Sequence, residues 1–309
     1  MCPDLYSVTG NKSTNSSSGA VSSGGKCQVD ETFDLRKSAS YHLSFELSPR
    51  TISFCVLDTL NNKYIALYQE EIANEGLDKA GTQLLTLLQT QELLSAKYKS
   101  SSIIMVSEQF TTVPEAIFNP AKARTFLDFN IEGTQRGIKG IEVLSDKMKS
   151  IDAHSVYALS GTMLTNLRSA LVGVSILHHT TSLIDTLLRL YKNQNQEICF
   201  LHIQKGIFSI VVIKGNDLKL CNNFLYNSKE DLVYYTLFVL EQLKLNPESV
   251  DTVLLGEIDK STEEYAIIYT YIRNLRFIDR NQGFNYSYVL DSLPPQYHFN
   301  LFSQYHCVS

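Results

Sequence analysis

One pattern of apolar and polar positions occurs twice in this chain. Residues 197–224 form three short runs rich in β-branched and aromatic side chains, separated by turn signals at 205–206 and 214–217. Such a pattern is typical of a three-stranded antiparallel meander. A shift of 156 positions places an earlier stretch on it without a gap, with Leu43, Phe45 and Leu47 on Cys199, Leu201 and Ile203, Ile52, Phe54 and Val56 on Phe208, Ile210 and Val212, and Asn61 on Asp217. The repeat predicts a duplicated fold.

Helical and strand-like segments follow the two meanders in the same order. In the first half these are a helix from Asp78, a buried strand at 101–107, and then, after 155–159, a helix at 162–171, a strand at 174–178 and a helix at 180–191. In the second half they are a helix at 229–243, a buried strand at 252–255 and a helix at 263–275. Residues 110–118 read as a loop entering a helix, and the glycine-spaced, charged residues 131–150 as a surface loop.

The two ends of the chain differ from its middle in composition. Residues 1–37 are rich in Ser, Thr, Asn and Gly, with too little apolar surface to offset the entropy of ordering, so we expect a disordered leader. Residues 285–309 carry many aromatic side chains, which we expect to pack against the body because their exposure favours aggregation; a partner-binding tail is the alternative. The predicted cores are residues 38–194 and 195–284.

Composition narrows the classes of function. The 309 residues carry a net charge of −5, and Lys and Arg are not clustered as a nucleic acid or an anionic membrane would require. Six scattered cysteines without a Cys-x-x-Cys pair indicate free thiols in a reducing compartment, and neither a disulfide framework nor a metal site. No stretch approaches the roughly 20 apolar residues of a membrane span. We expect a cytoplasmic protein.

The order of a meander, a helix, a strand, a helix and a strand is that of the ribonuclease-H-like core. Two such cores in tandem define the superfamily of actin, hexokinase and the heat-shock proteins. More specific segments are Tyr41-x-Leu43-Ser44, Phe110-Thr-Thr-Val-Pro114, His179-x-x-Ser182-Leu-Ile, Asn223-Phe224-x-Tyr226, Asp231-Leu-Val-Tyr234-Tyr235 and Leu254-x-Gly256. In these segments the chain, over residues 39–309, resembles a bacterial family of unknown function. The resemblance implies an α/β protein with an actin-like ATPase fold.

The same resemblance implies where an active member of the superfamily binds ATP·Mg, which is the cleft between the cores. The first turn of each core presents glycines to the phosphates, and an acidic residue holds the metal. Here the first turn, residues 47–51, has no Gly and no Asp, and Pro49 lacks a donor. The second turn keeps Gly206 but has Gln204 where Asp is expected, and the paired glycines of the adenosine side are reduced to Gly256. We therefore expect no ATP hydrolysis and no cofactor.

Other catalytic patterns do not appear in the sequence. It has no phosphate-binding loop of the Walker type, no nucleophile elbow and no His-Glu-x-x-His. The pair His178-His179 reads as a helix-capping or core pair, because it lies at a strand-to-helix junction. Lys205 and Arg50 lie in the two turns that flank the expected cleft, and they are candidates for binding an anion.

Two functions from different classes remain. The first is a catalytically inactive actin-like module that acts as a protein-interaction scaffold for an unknown partner. The second is an atypical nucleotide or small-anion binder that uses Arg50, Lys205, Gly206 and Gly256 in the cleft. We favour the first, because the pattern of the fold is retained while the phosphate turns have lost their signatures.

Overall fold

Each of the two meanders forms three consecutive strands of a larger sheet. The structure, a computed structural model, describes residues 25–72, 75–130 and 140–309. The first sheet has the order β1-β4-β3-β2-β5-β9, and β15 also pairs with β4. Its strands are β1 (Lys26–Val29), β2 (Tyr41–Leu47), β3 (Thr51–Asp58), β4 (Lys63–Glu71), β5 (Ser100–Met105), β9 (Ser175–His178) and β15 (Asn285–Tyr286).

The second sheet has the order β12-β11-β10-β13-β14. Its strands are β10 (Glu197–Gln204), β11 (Ile207–Lys214), β12 (Asp217–Leu225), β13 (Asp251–Gly256) and β14 (Leu275–Phe277). In both sheets the meander is antiparallel, and the strands that follow it add in parallel beside its first strand. The fold is therefore a mixed α/β architecture built from two cores of the same topology, as the sequence predicted.

Strand pairing shows the duplication residue by residue. Leu43 pairs with Val56 in the first sheet, and Cys199 pairs with Val212 in the second, so the shift of 156 positions holds for both members of the pair. The register slips at Val56/Leu57 in one meander and at Val212/Ile213, the equivalent place, in the other. The bulge belongs to the repeated unit and is not an accident of one copy.

The pairing of the third strand of each meander shows where the gap-free alignment fails. Asp58 pairs with Lys63 across a four-residue turn, whereas Lys214 pairs with Asp217 across a two-residue turn. Lys63 is therefore the equivalent of Asp217, and the match of Asn61 to Asp217 is wrong by two positions. Gly215, with φ +57, makes the shorter turn possible. Two extra turn residues leave the apolar alternation unchanged, so the sequence pattern could not reveal them.

Between β5 and β9 the chain forms an additional antiparallel sheet, which is inserted into the sequence of the first core. Its order is β6-β8-β7, with β6 (Phe110–Pro114), β7 (Ile141–Lys147) and β8 (Ala153–Ser160) beside helix α2 (Ala123–Asp128). The predictions of a loop at 110–118 and at 131–150 are wrong for β6 and β7; residues 131–139 lie outside the described residues. Both strands pair with β8, which supplies main-chain partners that a local pattern cannot show.

Some helices pack within their own core, whereas two others pack on the sheet of the other core. On the outer faces, α1 (Leu77–Thr90) packs with α3 (Gly161–Ala170), and α5 (Lys229–Gln242) packs with α6 (Glu263–Tyr271). Helix α4 (His179–Tyr191) follows the first sheet but buries Leu183 and Leu187 against Phe200 of the second. Helix α7 (Phe299–Ser303) follows the second sheet but packs on the first. No helix among the described residues is long and apolar enough to cross a membrane.

Part of the predicted leader is ordered. Residues 26–29 form β1, which runs antiparallel to β4, and a 3-10 helix follows at Leu35–Ser40. The prediction of disorder is wrong for residues 25–37, because main-chain pairing with β4 and the bonds of Asp30 to Lys63 and Ser287 compensate for the scarcity of apolar side chains. The predicted disorder of residues 1–24 lies outside the described residues.

The aromatic tail lies across the first sheet. Phe302 packs against Tyr64 with ring centroids 4.8 Å apart, and the Tyr64 hydroxyl donates to the carbonyl of Phe302. Gln304 accepts from the Ser102 hydroxyl and donates to the carbonyl of Phe45. Helix α8 (Tyr305–Val308) follows α7. The tail is therefore part of the buried interior and packs on β2, β3 and β4.

Candidate functional site

The turns between the first two strands of each core meet at the cleft between the cores. Gly206, with φ +79, lies directly beneath the guanidinium of Arg50: a Cβ at this glycine would lie 2.9 Å from both Cζ and Nε. Arg50 also forms an ion pair with Glu75 (Nε–Oε1 3.0 Å). The structure thus brings Arg50 and Gly206 together, and the guanidinium covers the face of Gly206 that an approaching anion would need.

The main-chain donors of the first turn are bonded inside the turn itself. The buried Ser48 hydroxyl oxygen accepts from the N–H of Arg50 (3.2 Å) and from the N–H of Thr51 (2.9 Å). Pro49 has no N–H. The two donors of this turn that a phosphate could bind therefore already have a partner.

A carboxylate occupies the corresponding position at the second turn. The main-chain N–H of Lys205 faces the side chain of Glu257, which directly follows β13, and this lessens the rise in the pKa of that carboxyl group. The ammonium of Lys205 forms a separate ion pair with Glu71 (2.7 Å), and both side chains are exposed. The main chain and the side chain of Lys205 therefore both face carboxyl groups. An anion at this turn would meet Glu257.

Gly256 has a structural environment unlike that of Gly206. Its φ is +94, and a Cβ there would lie 2.1 Å from the carbonyl oxygen of Ile203 on the neighbouring strand. Its own N–H donates to the carbonyl of Gln296. Gly256 is thus enclosed by backbone, and the predicted grouping of all four site residues is not what the structure has.

A cleft of about 630 Å³ lies beside the two turns, between the cores and the inserted sheet. Arg50, Lys205 and Gly206 line it together with Glu75, Glu108 and Ser160, whereas Gly256 does not. Cations, carboxylates and a hydroxyl therefore face the same space. Among the described residues, no group of three or more His, Cys, Asp and Glu side chains is placed to hold a metal ion.

Two carboxyl groups at the contact between the cores, Glu46 buried and Glu257 half-buried, were missed in the sequence. Glu46 on β2 accepts a hydrogen bond from Gln204 on β10 (2.9 Å), and Glu257 accepts one from Gln69 on β4 (3.0 Å). Burial, with a smaller effect of the nearby Glu257, raises the pKa of Glu46 to about 8. Burial also raises the pKa of Glu257. Glu46 lies in a strand without an exposed residue, and a lone acid in such a strand is the signal that could have identified it.

Replacing Glu46 by Gln should remove a pH dependence of stability. The folded protein holds the Glu46 proton up to about pH 8, whereas the unfolded chain releases it near its ordinary value of 4.5. The stability that the protonated Glu46 contributes is complete below pH 4.5 and is lost as the pH rises through 8. The free energy of unfolding should therefore fall by about 3 kcal/mol between pH 5 and 8. We expect E46Q to be the more stable protein at pH 8 in urea unfolding. Equal loss in both proteins between pH 5 and 8 would contradict this account.

The paired histidines form a buried polar network where the first core meets the second. His178 is the N-cap of α4, and its Nε2 lies 3.0 Å from the carbonyl of Ser107. The His179 ring lies 3.2 Å from the carbonyl of Met105 and 3.1 Å from the hydroxyl of Ser209 on β11. Both the capping and the core role expected from the sequence are present. Burial lowers the pKa of both rings, that of His179 to about 4.

Comparison with solved structures defines the class of this protein. A protein from Bacteroides thetaiotaomicron VPI-5482 with an actin-like ATPase fold and unknown function aligns with a TM-score of 0.72 and 22% identity, over 80% of this chain and 94% of its own. The PilM–PilN type IV pilus biogenesis complex aligns with a TM-score of 0.56 and 12% identity, over 87% of this chain and 98% of the matched chain. At these identities the likeness shows the fold, which is actin-like.

The family follows from the sequence model that the chain matches. The family described as "Protein of unknown function (DUF3822)" matches residues 30–275, and the chain belongs to it. The resemblance inferred from the sequence segments is thereby confirmed. No curated protein matches the chain.

Proposed function

We propose that this protein is a non-catalytic actin-like module of the cytoplasm that acts by binding another protein. The observation that carries the proposal is the state of the two phosphate turns. In the first turn, Ser48 already accepts from the N–H groups of Arg50 and Thr51. In the second, the Arg50 guanidinium covers Gly206, and the Glu257 side chain faces the Lys205 N–H. Phosphate binding at such turns depends on free N–H groups that converge on the anion. Here a ligand would have to displace these side chains.

The charges that line the cleft support the same conclusion. A nucleotide triphosphate in the cleft would place its negative charge beside Glu75 and Glu108. Nothing in the described part of the chain groups acids for a neutralising metal. The retained fold then needs another use. A structure of the same fold is a complex of PilM with PilN, which makes protein binding a precedent for this architecture.

A thermal melt with and without ATP·Mg tests the non-catalytic part of the proposal. We expect the midpoint to be unchanged at millimolar ATP·Mg, with Mg²⁺ alone and inorganic phosphate as controls. A ligand at a hundredfold excess over its Kd adds about 2.7 kcal/mol of stability, which would raise the midpoint by several degrees. A rise with ATP·Mg that phosphate does not reproduce would overturn the proposal.

The second candidate, a nucleotide or small-anion binder, rests on the cleft beside Arg50, Lys205 and Gly206. For this candidate, G206V should abolish the ATP-dependent rise in midpoint without unfolding the protein. The pairing of both cations, Arg50 with Glu75 and Lys205 with Glu71, disfavours it. We therefore keep protein binding as the proposed function.

A further inference from the structure

The two cores differ in whether the outer edge of the third meander strand is covered. In the first core the outer edge of β4 is covered by the chain itself: β1 pairs with it antiparallel at residues 66–69, and β15 pairs with it in parallel at residues 63–64. In the second core, β12 ends the sheet, and no other strand of the described chain pairs with its outer edge. An open strand edge presents a row of main-chain donors and acceptors to a further strand.

Strand pairing defines which residues of β12 correspond to the covered segment. Phe54 pairs with Tyr68 in the first core, and its equivalent Ile210 pairs with Asn222 in the second. Tyr68 and Asn222 are therefore equivalent positions. By the same register, the residues of β4 that β1 covers, 66–69, correspond to Leu220, Cys221, Asn222 and Asn223 of β12.

Space for a further strand lies beside these residues. A groove of about 770 Å³ runs along residues 218–225 of β12, and its opposite wall is formed by Phe110, Thr111 and Thr112 of β6. β6 is itself the end strand of the inserted sheet. The Thr112 hydroxyl is buried in that wall without a hydrogen-bond partner among the described residues. Leu220, Phe224 and Tyr235 supply apolar surface in the groove.

We propose that the outer edge of β12 binds an extended segment of a partner protein as an added strand, antiparallel to β12 and centred on residues 220–223. The precedent is β1, whose alternate residues Cys27 and Val29 pack against the first core while its main chain pairs with β4. The partner segment is accordingly an extended peptide with apolar side chains at alternate positions. This inference rests on the proposed protein-binding function and specifies where and how the partner binds.

Peptides displayed on phage provide a probe of the edge even while the partner protein is unidentified. Random linear peptides are selected on the full chain, and the enriched peptide is synthesised with one N-methyl group at each position in turn. An added strand uses its N–H groups alternately, so we expect about a tenfold loss of affinity at every second position and little loss between. Hydrogen exchange of residues 220–223 should slow when the peptide binds.

Two adjacent proline variants, C221P and N222P, supply a matched pair on the protein side. Successive N–H groups of β12 point to opposite sides, so one variant loses a bond to β11 and the other loses a donor of the open edge. We expect one variant to melt at a lower temperature. The other should melt like the wild type and lose peptide binding.

The outcomes separate this inference from the function on which it rests. If peptides bind without the alternating pattern, and the stable proline variant still binds them, the β12 site is wrong while protein binding stands. If no peptide is enriched, the inference is overturned, and the ATP·Mg melt tests the non-catalytic part of the proposed function independently. If the wild type forms a dimer that the stable proline variant abolishes, a second copy of the chain occupies the edge, which also overturns the inference.

Discussion

Acidification should unfold this protein steeply, with the largest loss of stability below pH 6.5. Five of the seven histidines are buried in the folded state: His42, His178, His179, His202 and His298. Burial lowers the pKa of each ring, to about 4 for His42 and His298 and to about 3 for His202. A neutral ring in the folded state becomes charged on unfolding, so the unfolded chain binds more protons at acidic pH.

The sign and the size of the effect follow from these pKa values. The stability contributed by the neutral rings is complete above the ordinary histidine pKa of about 6.5 and is lost as the pH falls through the folded values. The four rings whose folded pKa is about 3 or 4 lose about 2 kcal/mol each between pH 7 and 5, which is about 8 kcal/mol together, and the buried His178 acts in the same direction. Glu46 and Asp146, whose pKa values burial raises to about 8 and about 6, increase the stability of the folded state as the pH falls over the same range. They offset about 4 kcal/mol, which leaves a net loss of about 4 kcal/mol before the effect of His178.

Urea unfolding at pH 8, 7, 6 and 5 measures this loss, and H202Q isolates one ring. At pH 8 the rings are neutral in both states, so the difference between H202Q and the wild type there gives the packing effect alone. Between pH 8 and 5 we expect H202Q to lose about 2 kcal/mol less than the wild type. Identical slopes in the two proteins would show that His202 does not take up a proton on unfolding.

The duplicated framework was predictable because apolar alternation reports directly which residues face a core. Leu43 and Cys199, or Phe54 and Ile210, occupy equivalent pairs in the two sheets, as the shift of 156 positions predicted. Periodicity and turn chemistry were sufficient for this framework. The position of Arg50 and Lys205 in turns that flank the cleft was implied by the resemblance to the actin superfamily and not by periodicity.

What the sequence did not show depends on main-chain partners that are distant in the chain. β1 is ordered by pairing with β4, and β6 and β7 by pairing with β8, although none of the three has a strong local pattern. In the site, Ser48 accepts from its own turn and Glu257 faces the other turn only once the chain has folded. Side-chain identity gave no sign that these two residues would lie beside the N–H groups of the turns.

The role of Gly256 illustrates how one residue type supports two different interpretations. In an active member of the superfamily, a glycine at this place is expected to serve adenosine binding, and Gly256 belongs to the predicted site for that reason. In the structure it pairs with Ile203 of β10, and Met105 occupies the equivalent place in the first core, beside Leu47. Met105 has no positive φ, whereas Gly256 has φ +94. The backbone of the second core therefore provides a sufficient reason for glycine at this position.

Gly256→Ala should destabilise the protein by about 4 kcal/mol or more, or prevent folding, because the new Cβ would meet the Ile203 carbonyl oxygen at 2.1 Å. Backbone cannot move aside as a flexible side chain can, so the pairing of β10 with β13 must shift. Gly173→Ala is the matched control: its φ is +77, but an added Cβ meets nothing within 4 Å. The only expected cost of Gly173→Ala is backbone strain, of about 1 kcal/mol. Urea unfolding compares the two variants.

The two variants together decide between the interpretations of Gly256. A much larger loss of stability for Gly256→Ala than for Gly173→Ala means that close packing of two parallel strands requires the glycine, and the residue then says nothing about nucleotide. Equal and small losses would mean that the strands tolerate a Cβ at 256. Packing would then no longer account for the glycine, and a ligand that approaches the end of β13 would become the better explanation. The stability of one variant pair thus bears on function without any assay for a ligand.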